Sequence, residues 1–153
     1  MRSSGQVTLV GINNAVDQNK WGPSVALSLD VGETVLGSYI KAVRLIAGES
    51  GSGSVIKSVG DVVFFNADPT IASNDAAITA AEWLTVVGHA TFAAGNYTTG
   101  DATGAVAQAN VEIPLPPTST LWAALFKTDA AALNDAAGDD EFLILEVMYT
   151  KGL

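Results

Sequence analysis

The sequence predicts an all-β chain, a two-sheet β-sandwich that is jelly-roll-like and carries one short helix. Three observations predict it. Apolar runs of strand length recur at short intervals, clusters of Gly, Asn, Asp, Ser or Pro separate them, and a single stretch strings good helix formers together. About seven to nine strands with one helical turn suit two packed sheets rather than helical layers. With 153 residues, 48% of them apolar and 15% charged, the chain is of one-domain size and has enough apolar mass for a core.

Taken in order, QVTLVGI (6–12) reads as an arm or an edge strand. VALSLDV alternates, with Val25, Leu27, Leu29 and Val31 on one face and Ala26, Ser28 and Asp30 on the other, so one face is buried. SYIKAVRLIA mixes Ile40, Ala42 and Leu45 with Lys41 and Arg44, and GESGSGS after it is a flexible loop by composition. SVIKSV and DVVFFN form one strand broken at Gly60 or two short ones. In TIASNDAAITAAEWL, Asn74 or Thr79 is placed to cap a turn or two over Ala80, Ala81, Glu82, Trp83 and Leu84.

TVVGHATF then reads as a strand, NYTTGDATG as a polar loop and AVAQANVEIPL as a strand. Pro114 would remove a ladder bond from a central strand, so that strand lies at an edge or ends there. TLWAALFK and EFLILEVMYTK close the chain. In the latter both faces, Phe142, Ile144, Glu146 and Met148 against Leu143, Leu145, Val147 and Tyr149, are largely apolar, which marks it as central or covered. The chain divides into residues 1–24, an N-terminal arm or extended segment, and residues 25–153, the β-sandwich domain.

Charge and composition narrow the function classes. Sixteen acidic against seven basic residues leave a net charge of -9, which repels phosphate backbones and anionic headgroups, so neither nucleic acid nor a membrane is an expected partner. The absence of cysteine excludes disulfides, thiolate metal sites and cysteine nucleophiles. The N-terminus lacks an apolar run of signal-peptide length, so the expected site of synthesis is a cytoplasm.

Candidate sites are few. His89 is the sole histidine and lies in mid-strand, where a hydrogen-bonded structural role outweighs acid-base work. Gly51-Ser52-Gly53 lacks the pattern of a serine nucleophile or a phosphate loop. Asp135, Asp139, Asp140 and Glu141 form an oxygen-rich loop without calcium-loop spacing, and a solvated acidic loop is the expectation. Of Trp21, Trp83 and Trp122, only Trp21 in NKWGP reads as exposed, because Trp122 alternates with core residues and Trp83 caps an amphipathic turn. Asn96-Tyr97-Thr98 fits a glycosylation triplet, a pattern that chance supplies often. In DVVFFNADPT, Asn66 and Asp68 read as turn formers, since Pro69 biases Asp68 to extended backbone and short polar side chains bond nearby amides.

The run IKAVRL, VVFFNADPT, AAITAAEWLTVVGHATF, a polar loop and TSTLWAALF before a terminal apolar strand resembles a family of small structural proteins of tailed-bacteriophage virions, encoded near capsid genes. Phe65, Asn66, Pro69, Ala76, Phe92, Leu121, Trp122, Ala123 and Leu125 occupy the matching places, over about residues 38–149. Trp122 stands where a Tyr is usual, and the first third matches nothing in the family. The resemblance implies a virion structural protein, a head decoration or cement protein binding the outside of the major capsid lattice, with no enzymatic activity and no cofactor. It also implies a homo-oligomer, with a trimer favoured, on the capsid exterior after assembly in the host cytoplasm. Arg2, Lys20 and Trp21, in a polar arm of an acidic chain, are the expected capsid contacts. The alternative from another class is a lectin-like binding module, or a component of a fibre or tail.

Overall fold

The computed structural model describes residues 1–8, 26–49, 59–71, 78–101, 104–117, 120–127 and 141–153. In chain order these form β1 (Arg2–Thr8), β2 (Leu27–Asp30), β3 (Ser38–Glu49), β4 (Gly60–Phe65), α1 (Ala80–Trp83) and β5 (Val86–Phe92). A 3-10 turn (Ala94–Asn96), β6 (Tyr97–Asp101), β7 (Gly104–Leu115), β8 (Thr120–Lys127) and β9 (Glu141–Thr150) follow. Two antiparallel sheets result, one ordered β1, β9, β3, β7, β6 and the other β2, β8, β4, β5. β9 inserts between β1 and β3, β8 inserts between β2 and β4, and β7 pairs with β3, so the second half of the chain is wound into the first. That nesting is the wrapping of a jelly roll, as the sequence predicts.

The core lies between the sheets and is built from alternate residues of each strand. Leu29 and Val31 supply it from β2 and its exit, as their alternation predicts, Leu121, Ala123 and Leu125 from β8, and Leu143, Leu145, Val147 and Tyr149 from β9. β9 and β8 are both central strands, in agreement with their apolar faces. β3 does not alternate simply. Its register slips between Ile40 and Ala42 against both neighbours: Lys41 is an extra residue against β9, whereas against β7 it faces two residues, Val111 and Glu112, and the inward set changes from Ser38 and Ile40 to Val43, Leu45 and Ala47. The bulge explains why this strand's sequence mixes apolar and basic residues. It turns Lys41 outward, where it pairs with Glu112 and lies 5.2 Å from the Tyr39 ring centre. That ammonium beside Glu112 holds its carboxyl below the ordinary glutamate value.

Pro114 behaves as expected. β6 pairs with β7 only from Ala107 to Gly104, so beyond Ala107 β7 has β3 on one side and no described strand on the other. One segment departs from the expectations. YTTGD, within the stretch NYTTGDATG read as loop, is β6, a short edge strand hairpinned onto β7, whose polar side chains hide a pattern in which Tyr97 is buried. Residues 2–8 form β1, an edge strand on β9, which fits the edge alternative for QVTLVGI over residues 6–8. Ser4 Oγ accepts the Val147 N–H at 3.1 Å where β1 bulges at Gly5, which has φ +75°. Residues 9–24 lie outside the described ones.

The connections place two sets of loops at opposite ends. β2 runs into β3, β7 into β8 and β4 into β5 at one end, where β1 begins and β9 finishes. This end is called the β2–β3 end below.

Candidate functional site

The four buried residues of DVVFFN serve two separate clusters. Val62 and Phe64 point into the sandwich, whereas Val63 and Phe65 point outward, yet Phe65 is as fully buried as Phe64. Its cover is the chain between β4 and β5. Asn66 donates its N–H to Thr85 O at 2.9 Å, Ile71 and Ile78 pack on Phe65 with Ala124, Val86, Trp122 and Phe126, and Ile71 O accepts the Ala26 N–H at 2.9 Å. The outer face of this sheet therefore carries a second, smaller core.

Asp68 takes the structural role predicted for it. Its Oδ1 accepts the Thr70 N–H at 2.8 Å, and the turn holds Thr70 at φ +53°. Thr70 Oγ1 donates to Glu82 Oε1 at 2.5 Å, while Glu82 Oε2 accepts from Thr79 N–H at 2.6 Å and from Thr79 Oγ1 at 2.8 Å. Thr79 Oγ1 in turn accepts the Glu82 N–H, which completes a capping box and names Thr79 as the cap rather than Asn74, which lies outside the described residues. The Thr70 hydroxyl and the Thr79 donors hold the Glu82 carboxyl below its ordinary value.

This anchoring sets the position of Trp83. The ring leans on Phe126 at 5.6 Å between centroids and 37° between planes, and 48% of the residue stays exposed. The expectation that only Trp21 is exposed is thus corrected: α1 is too short to bury its aromatic, and the helix lies on the outer face rather than under it. Trp122 is half-buried in the outer cluster, not in the main core. Trp21 and Lys20 lie outside the described residues.

Beside Trp83 is an open cleft of about 280 Å³, lined by Asp61, Val63, Trp83, Val86, His89 and Phe126. The β4–β5 register sets Val63 opposite His89 and Asp61 opposite Thr91, and the β4–β8 register sets Asp61 opposite Phe126. Asp61 Oδ1 accepts from Thr91 Oγ1 at 2.5 Å and lies 3.6 Å from His89 Nδ1. His89 is on an edge strand with 62% of its side chain exposed. It therefore has a carboxylate neighbour. Asp61, Thr91 and Phe126 are the residues that sequence reasoning passed over, because only strand register brings them together.

Among the described residues no group of three or more His, Asp or Glu could hold a metal ion. Ser52, Asp135, Asp139 and Asp140 lie outside the described residues, and Glu141 opens β9. Arg2 opens β1 at the β2–β3 end, exposed and paired in register with Tyr149. Of the exposed large apolar residues, Val35 and Leu36 between β2 and β3, Leu84 before β5, and Met1 and Leu153 beside β1 and β9 lie at that end, whereas the Trp83 ring reaches along the outer face to Phe126, beside Asp61.

No family model matches this chain, and no curated protein does. Among solved structures it is similar to the family 32 carbohydrate-binding module from C. perfringens NanJ in complex with galactose. The identity is 10% over 95% of this chain and 92% of that one, with a TM-score of 0.30, a likeness too slight to carry an argument about function.

Proposed function

We propose that this chain is a non-enzymatic structural protein of a tailed-bacteriophage virion, which seats the β2–β3 end of its jelly roll on the outside of the major capsid lattice. One observation carries the reading: of the six exposed large apolar side chains of the described residues, all but Trp83 lie at that end. The sandwich closes its own core, so these side chains are not needed for folding, and concentrated exposed apolar surface marks a protein contact. The end is also held rigid. Ser38 Oγ, nearly inaccessible, accepts the Val35 N–H at 3.2 Å and the Gly152 N–H at 2.9 Å, and Thr34 Oγ1 donates to Pro116 O at 2.7 Å. A preformed contact surface loses little entropy on docking.

Arg2 and Lys151, two of seven basic residues in an acidic chain, are exposed at the same end. The net charge of -9 disfavours a DNA-facing position, which supports an exterior one. The lattice as partner and a trimer as the oligomer rest on the resemblance over residues 38–149. The competing lectin-like module rests, in the sequence, on Trp21.

The test is binding to capsids prepared without this protein. Wild type is expected to occupy them, whereas Leu36→Asp with Leu84→Asp loses occupancy at an unchanged melting temperature, because both side chains are exposed in the free protein (83% and 86%). Full occupancy by the double variant overturns the proposed contact end.

A further inference from the structure

We propose that the cleft between Trp83 and Asp61 binds one pyranose ring of a neutral saccharide, a site independent of whether the chain sits on a capsid. Trp83 is exposed, yet it is not free to move: the capping box, the Thr70 hydroxyl on Glu82 and the Phe126 ring fix the turn that carries it. A rigid, half-exposed aromatic wall offers stacking area at little entropic cost. Val63, Val86 and Phe126 continue the apolar surface, which suits the C–H face of a sugar. The volume of about 280 Å³ is near the lower bound of small-molecule sites, room for a single ring.

The polar edge matches hydroxyl groups. Thr91 Oγ1 orients the Asp61 carboxylate through Oδ1, and no described residue donates to Oδ2, so two adjacent sugar hydroxyls have an acceptor waiting. His89, 3.6 Å away and mostly exposed, adds a ring nitrogen that can donate or accept. Asp61 and the net charge of -9 oppose sialylated, uronic or phosphorylated sugars, which selects a neutral one.

The probe is an array of neutral and sialylated glycans, read with wild-type protein, Trp83→Ala and Asp61→Asn, with a hexa-arginine peptide as a competing arm. Wild type is expected to bind a subset of neutral glycans. Both variants should weaken the best of them about tenfold or more, the loss expected when one of few anchors leaves a small site. Asp61→Asn keeps the shape of its side chain, so it tests the site even if Trp83→Ala loosens the turn. The proposal is overturned if no neutral glycan binds, if binding survives both substitutions, or if only the peptide binds in an Asp61-dependent way.

Discussion

Replacing Phe65 by alanine tests whether the outer face of the four-stranded sheet is a true second core. Alternation along DVVFF gives Phe64 to the sandwich and Phe65 to the opposite face, which in a simple two-sheet protein faces water. A solvent-facing Phe would cost less than about 1 kcal/mol on truncation. In the fold found here Phe65 has no accessible surface and packs under Ile71 and Ile78 with Ala124. Burying about 150 Å² of ring at ~25 cal/mol per Å² amounts to about 4 kcal/mol, within the 3–5 kcal/mol range of buried Phe-to-Ala changes. Phe64→Ala, in the main core, serves as the reference. Urea unfolding is the assay, and with a slope of about 2 kcal/mol per molar a loss of that size lowers the midpoint by about 2 M. A Phe65→Ala loss under about 1 kcal/mol, beside a full Phe64→Ala loss, would refute the covering role of the β4–β5 connection.

Three further outcomes are expected. A Cβ at Gly88 would come 2.5 Å from Ile113 Cγ2 across the sandwich, so Gly88→Ala should destabilise by about 1–3 kcal/mol, and in a double-mutant cycle it should cost less beside Ile113→Ala, which removes Cγ2. Glu146, with 14% of its side chain exposed, accepts from Ser3 Oγ at 2.7 Å and from Arg44 Nη1 at 3.2 Å, joining β1, β9 and β3. Glu146→Ala should therefore cost about 1–2 kcal/mol by chemical unfolding, the charged-bond value reduced for the partly solvated arginine. The Glu82 carboxyl is lowered in the fold, so its stabilisation is present above the unfolded value and fades as pH falls through the folded one. The stability gap between wild type and Glu82→Gln, measured by melting across the acid range, should then close as pH drops and stay constant near neutrality.

The fold class was legible because local chemistry states it. Turn residues bracket the strands, VALSLDV alternates, Thr79 and Glu82 stand at capping-box spacing, and Pro114 lies in the part of β7 that is an edge. What stayed hidden depends on register between distant strands. Nothing near Lys41 announces the bulge that switches the buried face of β3, and β6 reads as a loop because an edge hairpin needs only Tyr97 inward. The cleft is of the same kind. Asp61, Thr91 and Phe126 are ordinary strand residues until antiparallel pairing sets them side by side. Asp68 was readable, since an Asx turn just after a strand end is a local matter, whereas the exposure of Trp83 depends on where α1 comes to rest.

The proposed role is tested most directly by cryo-electron microscopy of the virion whose genome encodes this chain. The expected map shows jelly rolls on the outside of the capsid shell, with the Leu36 and Leu84 end turned to the major capsid protein and the opposite end towards solvent. Density for the chain in a tail or fibre, or on the shell with the β2–β3 end facing outward, would contradict it.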